Sequence, residues 1–164
     1  MPSSENKYMQ LIEKFYTSFQ KKDYAGMIAC YHPQIEFSDP VFASLRGKQA
    51  GAMWHMLCER GKDLELQFSD VQARGDTGWA HWEATYSFSG SGRKVHNIID
   101  ATFLFSDGKI IKHRDAFDFW RWSRQALGTS GLLLGWSPIL KSKVRETAMK
   151  GLYAFIEKHP EYQE

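Results

Sequence analysis

The sequence predicts an α+β domain in which helices cluster at the start and long antiparallel strands follow. Three observations carry this. Apolar residues between positions 4 and 20 recur at three- and four-residue steps, the period of an amphipathic helix. From Leu64 onward the period drops to two, as in a strand with one buried face. Up to residue 122 helices dominate first and strands follow, and runs of helices followed by runs of strands argue for α+β rather than for alternating βαβ units.

The elements follow in order. Ser3 and Ser4 are candidate caps of a first helix whose apolar stripe is Tyr8, Leu11, Ile12, Phe15, Tyr16 and Phe19. Lys21-Lys22-Asp23 interrupts it, and Asp23 can cap a second helix running to Tyr31. Pro33 ends that helix, because proline lacks an N–H and restricts the residue before it. Residues 35–38 read as a short strand stopped by Asp39-Pro40. A third helix is expected over 49–60, with Met53, Trp54, Met56 and Leu57 on it and Gly61 beyond its end. Strands are expected over 64–68, 79–88, 95–105 and 110–122, with a hairpin turn at Ser106-Asp107-Gly108-Lys109. A curved sheet with helices over its concave face would enclose a cone-shaped cavity. The tail, 128–164, carries a further amphipathic helix over 139–158 with a basic outer face. It is expected to pack on the same domain or on a partner subunit, in preference to a membrane surface.

The chain has 164 residues, enough for one domain with a sizeable core. A net charge of +2, with Lys and Arg dispersed, argues against nucleic acid as a partner. Cys30 and Cys58 sit in apolar helical contexts and read as buried thiols. No zinc spacing, nucleophile motif or phosphate loop is present, so neither a metal nor a cofactor is expected. No apolar signal core or membrane-length run occurs, and the expected location is cytoplasmic. Aromatic residues make up 15%, a hint of a ring-lined pocket.

One stretch stands apart. Ile110-Ile111-Lys112-His113-Arg114-Asp115-Ala116-Phe117-Asp118-Phe119-Trp120 reads as a strand, yet sets His113, Asp115, Arg114 and Asp118 among apolar residues. Isolated charges are expensive to bury. By alternation, His113, Asp115, Phe117 and Phe119 share one face, while Lys112, Arg114, Ala116, Asp118 and Trp120 share the other.

Several local motifs together resemble the nuclear-transport-factor-2-like superfamily, and more narrowly its ketosteroid-isomerase-like and SnoaL-like polyketide-cyclase branch. They are LIEKFYTSFQKKDYAGMIACY, EFSDPVF, LRGKQAG and IIDATFLFSDGKIIKHRDAFDF, spread over about three-quarters of the chain. The resemblance implies a cone-shaped α+β barrel over 1–127, with 128–164 as a C-terminal extension, and a homodimer joined through the open sheet face near Trp79 and Trp120. It places Asp39 on the family's proton-shuttling base and Asp100 on its oxyanion-binding acid. Phe15 falls where the family carries a tyrosine, a departure that removes one hydrogen-bond donor. It turns the His113, Asp115 and Phe117 face toward the cavity, opposite His96, Ile98, Asp100 and Thr102. The expected catalytic set is therefore Asp39, Asp100, His113 and Asp115, with Phe15, Trp54, Trp82, Tyr86 and Phe117 against the ligand. The implied activity is cofactor-free proton transfer on a small apolar carbonyl or polycyclic compound. A non-catalytic binding or assembly module, and a water-handling hydrolase or dehydratase, are the alternatives. For Asp39 the start of a turn, and for His113 and Asp115 a structural pair, are the competing readings.

Overall fold

The computed structural model describes residues 3–163. Helix α1 (Ser4–Gln20) starts at Ser3, whose Oγ accepts from the Asn6 backbone N–H at 3.2 Å. That satisfies one of the donors left open in a first helical turn. Ile12, Phe15, Tyr16 and Phe19 form its buried stripe, each side chain worth roughly 2 kcal/mol of apolar burial. Helix α2 (Tyr24–Ala29) is capped by Asp23, which accepts from the Gly26 N–H at 3.0 Å.

Strand β1 (Tyr31–Ser38) begins four residues earlier than the expected strand. Tyr31 therefore belongs to the sheet and not to α2. Pro33 hides this start in the sequence. It is tolerated because β1 shifts register against its neighbour between Tyr31 and Glu36. Strand β2 (Leu45–Arg46), helix α3 (Lys48–Arg60), and strands β3 (Glu65–Arg74), β4 (Thr77–Ser87), β5 (Lys94–Ser106) and β6 (Lys109–Ala116) follow. Among the described residues the sheet has the order β2-β1-β6-β5-β4-β3. It is curled and mixed: β1 and β6 run parallel, and the other pairs are antiparallel. The fold is thus the α+β class expected, with α1 packed on β3 and β4, and α3 on β1 and β2.

The β5–β6 hairpin corrects one expectation. Asp107 and Gly108 both have left-handed φ, 54° and 74°, as a two-residue hairpin loop requires. Phe105 then pairs with Ile110, but Leu104 pairs with Lys112. Ile111 is an extra residue in a β-bulge, and a one-residue slip exchanges the faces. His113 consequently lies opposite Phe103, and Asp115 opposite Ala101. The inward face of β5 carries Asn97, Ile99, Ala101 and Phe103. His96, Ile98, Asp100 and Thr102 face outward and are exposed.

Strand β6 also ends at Ala116, short of the expected Trp122. Asp118 instead caps α4 (Phe119–Leu127), accepting from the Arg121 N–H at 3.1 Å. Helices α5 (Thr129–Leu134) and α6 (Pro138–Glu157) and a short 3₁₀ turn (Pro160–Tyr162) complete the chain. Gly131 lies so close to the Ser123 carbonyl that a side chain there would overlap it. Only glycine lets α5 cross α4 at this point. Among the described residues no helix is long and apolar enough to cross a membrane.

Leu152 and Phe155 of α6 join the main core between the helices and the sheet. A second cluster gathers Val95, Phe119, Trp122 and Ala126 with Val144 of α6. Val41, Tyr86 and Phe117 pack against both and so join the two clusters.

Candidate active site

The inward faces of β1, β4 and β6 meet the ring-bearing faces of α1 and α3 around His113. Its side chain is fully buried, and that of Asp115 is 3% exposed. The rings of Phe15, Phe37, Trp54 and Phe103 surround the imidazole, with centroids 4.5–6.0 Å away. His113 Nδ1 lies 2.8 Å from Tyr31 Oη, and Nε2 lies 2.9 Å from Asp115 Oδ1. Trp54 Nε1–H donates to Tyr31 Oη at 2.8 Å, and Trp82 Nε1–H donates to Asp115 Oδ1 at 3.3 Å.

A tryptophan N–H only donates. Tyr31 Oη accepts from Trp54, and an arrangement in which its own O–H donates to His113 Nδ1 pairs that proton as well. Nε2–H then donates to the Asp115 carboxylate, which also receives Trp82. Every N–H and O–H in this line is then paired, and Asp115 Oδ1 receives two of them, which offsets the cost of burying the carboxylate.

Asp39 lies close enough to the Asp115 end of this line to feel its charge. It follows the last residue of β1 and is partly accessible. Its Oδ1 accepts from the Val41 and Phe42 N–H groups at 2.7 and 2.6 Å, so it does start a turn. It also carries an altered acidity, with its pKa raised from 3.8 to about 7. Burial is the main cause, and the like charge of Asp115 adds to it. The Phe42 and Val41 N–H groups and the Arg145 guanidinium pull the other way without cancelling it. Arg145 is held there by its Nε–H, which donates to the Pro40 carbonyl at 2.9 Å.

Three tyrosines flank these carboxylates. Burial raises the pKa of Tyr16 and of Tyr31 well above the ordinary tyrosine value, so both stay protonated. Tyr16 Oη makes no hydrogen bond among the described residues, although it is close enough to Asp115 to feel its charge. Tyr86 Oη accepts from Trp122 Nε1–H at 2.9 Å and keeps its own proton free to donate. Its pKa is pushed up to about 12, by burial first and by the Asp39 charge as well.

The structure brings Asp39, His113 and Asp115 together with Phe15, Trp54, Trp82, Tyr86 and Phe117. Asp100 does not join them. The β6 bulge turns it to the outer face, where its side chain is 80% exposed and its Oδ1 lies 2.9 Å from His81 Nδ1. There it belongs to an outer-face line, Asp100–His81–Glu83–His96. The sequence reading missed Tyr31, lost beside Pro33, and Tyr16, which is as deeply buried as Phe15. It also missed Asn97, an inward-facing amide that enters no side-chain hydrogen bond among the described residues and is 7% exposed. A single polar residue on the apolar face of a strand was the available signal.

A model of the SnoaL-like domain matches residues 12–113. Comparison with curated protein sequences returns no match. Among solved structures, an LEH-like epoxide hydrolase of M. tuberculosis superposes with a TM-score of 0.63 at 18% identity, covering 84% of this chain and 98% of that one. A protein from Jannaschia sp. CCS1 assigned as a SnoaL-like polyketide cyclase gives 0.67 at 18% identity, with 79% and 96% covered. One from Kribbella flavida DSM 17836 assigned as a ketosteroid isomerase gives 0.57 at 13% identity, with 71% and 81% covered. At these identities the likeness is one of fold.

Proposed function

We propose, from the premise that this chain belongs to the SnoaL-like domain family, that it is a proton-transfer enzyme acting on a small apolar carbonyl or polycyclic compound. The observation that carries this reading is the placement of Asp39. A carboxyl titrating near neutrality sits close enough to Asp115, the end of a buried hydrogen-bonded line, to feel its charge, and close enough to Tyr86 to add to the rise that burial causes in the pKa of its hydroxyl. A base whose pKa lies near the working pH both accepts and returns a proton efficiently.

The chemistry follows from the groups present. Asp39, as the carboxylate, takes a proton from the carbon beside a carbonyl. The electron pair moves onto the carbonyl oxygen, which becomes the enolate. Tyr86 O–H is the donor for that oxygen, because its own oxygen is already engaged by Trp122. Asp39 then returns the proton to another carbon of the conjugated system. His113 and Trp82 hold Asp115 in place beside Asp39, and its charge keeps Asp39 basic. Phe15 and Trp54 act as positioning residues around His113.

The test is α-proton exchange in deuterium oxide, followed by NMR over a panel of cyclic and polycyclic ketones. Asp39→Asn should abolish exchange. Tyr86→Phe should lower it by about 10²–10³-fold, as loss of an oxyanion donor does. Exchange that persists unchanged in Asp39→Asn would overturn the assignment.

A second reading, a binding module without chemistry, is favoured by one observation. Rings fill the interior around His113, and two surface depressions of about 610 and 450 Å³ lie elsewhere, beside Trp79 and beside Tyr8. It predicts panel members that raise the melting temperature without any exchange. Product carrying oxygen from labelled water would instead point to the water-handling chemistry of a hydrolase.

A further inference from the structure

The far end of α6 carries a cluster that the proton-transfer site does not use. His55 of α3, His159 just after α6 and Glu161 in the 3₁₀ turn bring one ligand atom each within 4.8 Å of one another. We propose that these three residues bind a divalent first-row transition ion of the zinc type, which ties the C-terminal end of the chain to α3.

The orientation of the two imidazoles supports this. His159 Nδ1–H donates to the Phe155 carbonyl at 2.7 Å. A carbonyl only accepts, so the proton is on Nδ1 and the lone pair is on Nε2. His55 Nδ1 is engaged with Tyr162 Oη at 2.8 Å, which leaves its Nε2 for a ligand. Metal-binding histidines are held in this way, the second ring nitrogen fixed by an oxygen partner. Both rings are also clamped. Tyr24 stacks on His55 with centroids 3.6 Å apart, and Phe155 stacks on His159 at 3.8 Å. A fourth ligand is within reach, because Glu59 Oε2 lies 3.7 Å from His55 Nε2 on the same helix face.

The donor set is two nitrogens with one or two carboxylate oxygens, which suits zinc and its first-row neighbours better than calcium or magnesium. A tetrahedral ion holds its ligand atoms about 3.4 Å apart, so closure needs at most about 1.4 Å of movement. Glu161 is exposed and free to supply it. Cysteine spacing gave no sign of this site, because no cysteine takes part and its halves lie far apart in sequence. Tyr162 follows His55 by 107 residues.

The experiment is calorimetric titration of the untagged, chelator-treated chain with Zn²⁺, and a Co²⁺ titration read by its visible absorption. Expected are one site per chain, a higher melting temperature with Zn²⁺, and Co²⁺ bands of a low-coordinate site. His159→Ala and Glu161→Ala, both at the surface end of the cluster, should each weaken binding by about tenfold or more. His96→Ala, in the separate exposed histidine line on the sheet, should bind as wild type does. Circular dichroism of each apo variant checks that it is folded, so a lost site is distinguished from a lost fold. Unchanged affinity in His159→Ala and Glu161→Ala would overturn the proposal. So would loss of the site in His96→Ala, or no Zn²⁺ binding by the wild-type chain.

Discussion

Replacing Asp39 with asparagine should stabilise the protein at alkaline pH while abolishing the proposed proton transfer. In the unfolded chain the carboxyl titrates near 3.8, and in the folded protein at about 7. The folded state therefore holds the proton more tightly. A carboxyl whose pKa is raised on folding favours the folded state most below 3.8. That advantage declines as pH rises and is gone above about 7. The gap is about three decades of proton affinity, and each decade is about 1.4 kcal/mol. With some solvent reaching Asp39, ionisation costs the folded state about 3–4 kcal/mol at pH 8. Asparagine does not ionise, and its Oδ1 can still accept from the Val41 and Phe42 N–H groups. The substitution should thus raise the melting temperature by about 10 °C at pH 8, since each kcal/mol moves a protein of this size by about 2–4 °C. The difference should shrink to a small fraction near pH 4. Thermal melts of both proteins from pH 4 to 8 supply the assay. A variant that melts at or below wild type at pH 8, or a difference that does not close on acidification, would refute the reasoning.

Other expectations follow from the same network. Asp115→Ala leaves the His113 and Trp82 N–H groups without an acceptor and should cost about 3–5 kcal/mol in urea unfolding. Tyr16→Phe removes a hydroxyl that has no partner among the described residues. It should leave stability unchanged or raise it by about 1–3 kcal/mol, and a loss of that size would show that the hydroxyl is paired. Arg145→Ala removes a positive charge that holds Asp39 down, so the Asp39 carboxyl followed by NMR should titrate above its wild-type value. The outer sheet face exposes Trp79, Ile98 and Leu104, each about two-fifths exposed. A homodimer built on that face should sediment as such at micromolar concentration and become monomeric in Ile98→Asp.

Most of the fold was legible because its elements obey one period at a time. The α1 stripe and its Ser3 cap, the Asp23 cap and the Asp107-Gly108 loop each rest on a local rule, and local rules need no knowledge of neighbours. The candidate site was legible where it depended on sequence alternation within one strand, as with His113 and Asp115. It failed where the relation between two strands mattered. Counting back from an ideal two-residue loop puts Asp100 opposite Asp115. The bulge at Ile111 puts Ala101 there instead and sends Asp100 to the outside. Apolar residues on both faces of β5, with Ile98 and Leu104 outward and Ile99 and Phe103 inward, gave no clue to the phase. Tyr31 was misplaced for a similar reason. A proline inside a strand reads as a stop, although an irregular register accommodates it.

The tail matters more to this site than its position in the chain suggests. The charged residues that bear on the acidity of Asp39 come from two places. Asp115, on β6, adds to the rise that burial causes, and Arg145, on α6, opposes it together with the Val41 and Phe42 N–H groups. Around it, Phe119 and Trp122 of α4 and Val144 of α6 build the apolar cluster that Tyr86 and Phe117 share with the core. The family match ends at His113, so Phe119, Trp122 and Val144 lie beyond the matched stretch. Trp122 illustrates the consequence. Its N–H occupies the Tyr86 oxygen and so leaves the Tyr86 proton as the free donor beside Asp39. The matched stretch supplies Tyr31, Trp54, Trp82 and His113 of the buried line, and the segment after it supplies Asp115, Trp122 and Arg145, which bear on Asp39 and Tyr86. A fold shared with cyclases, isomerases and an epoxide hydrolase therefore leaves room for chemistry particular to this chain, written in residues that the fold alone does not require.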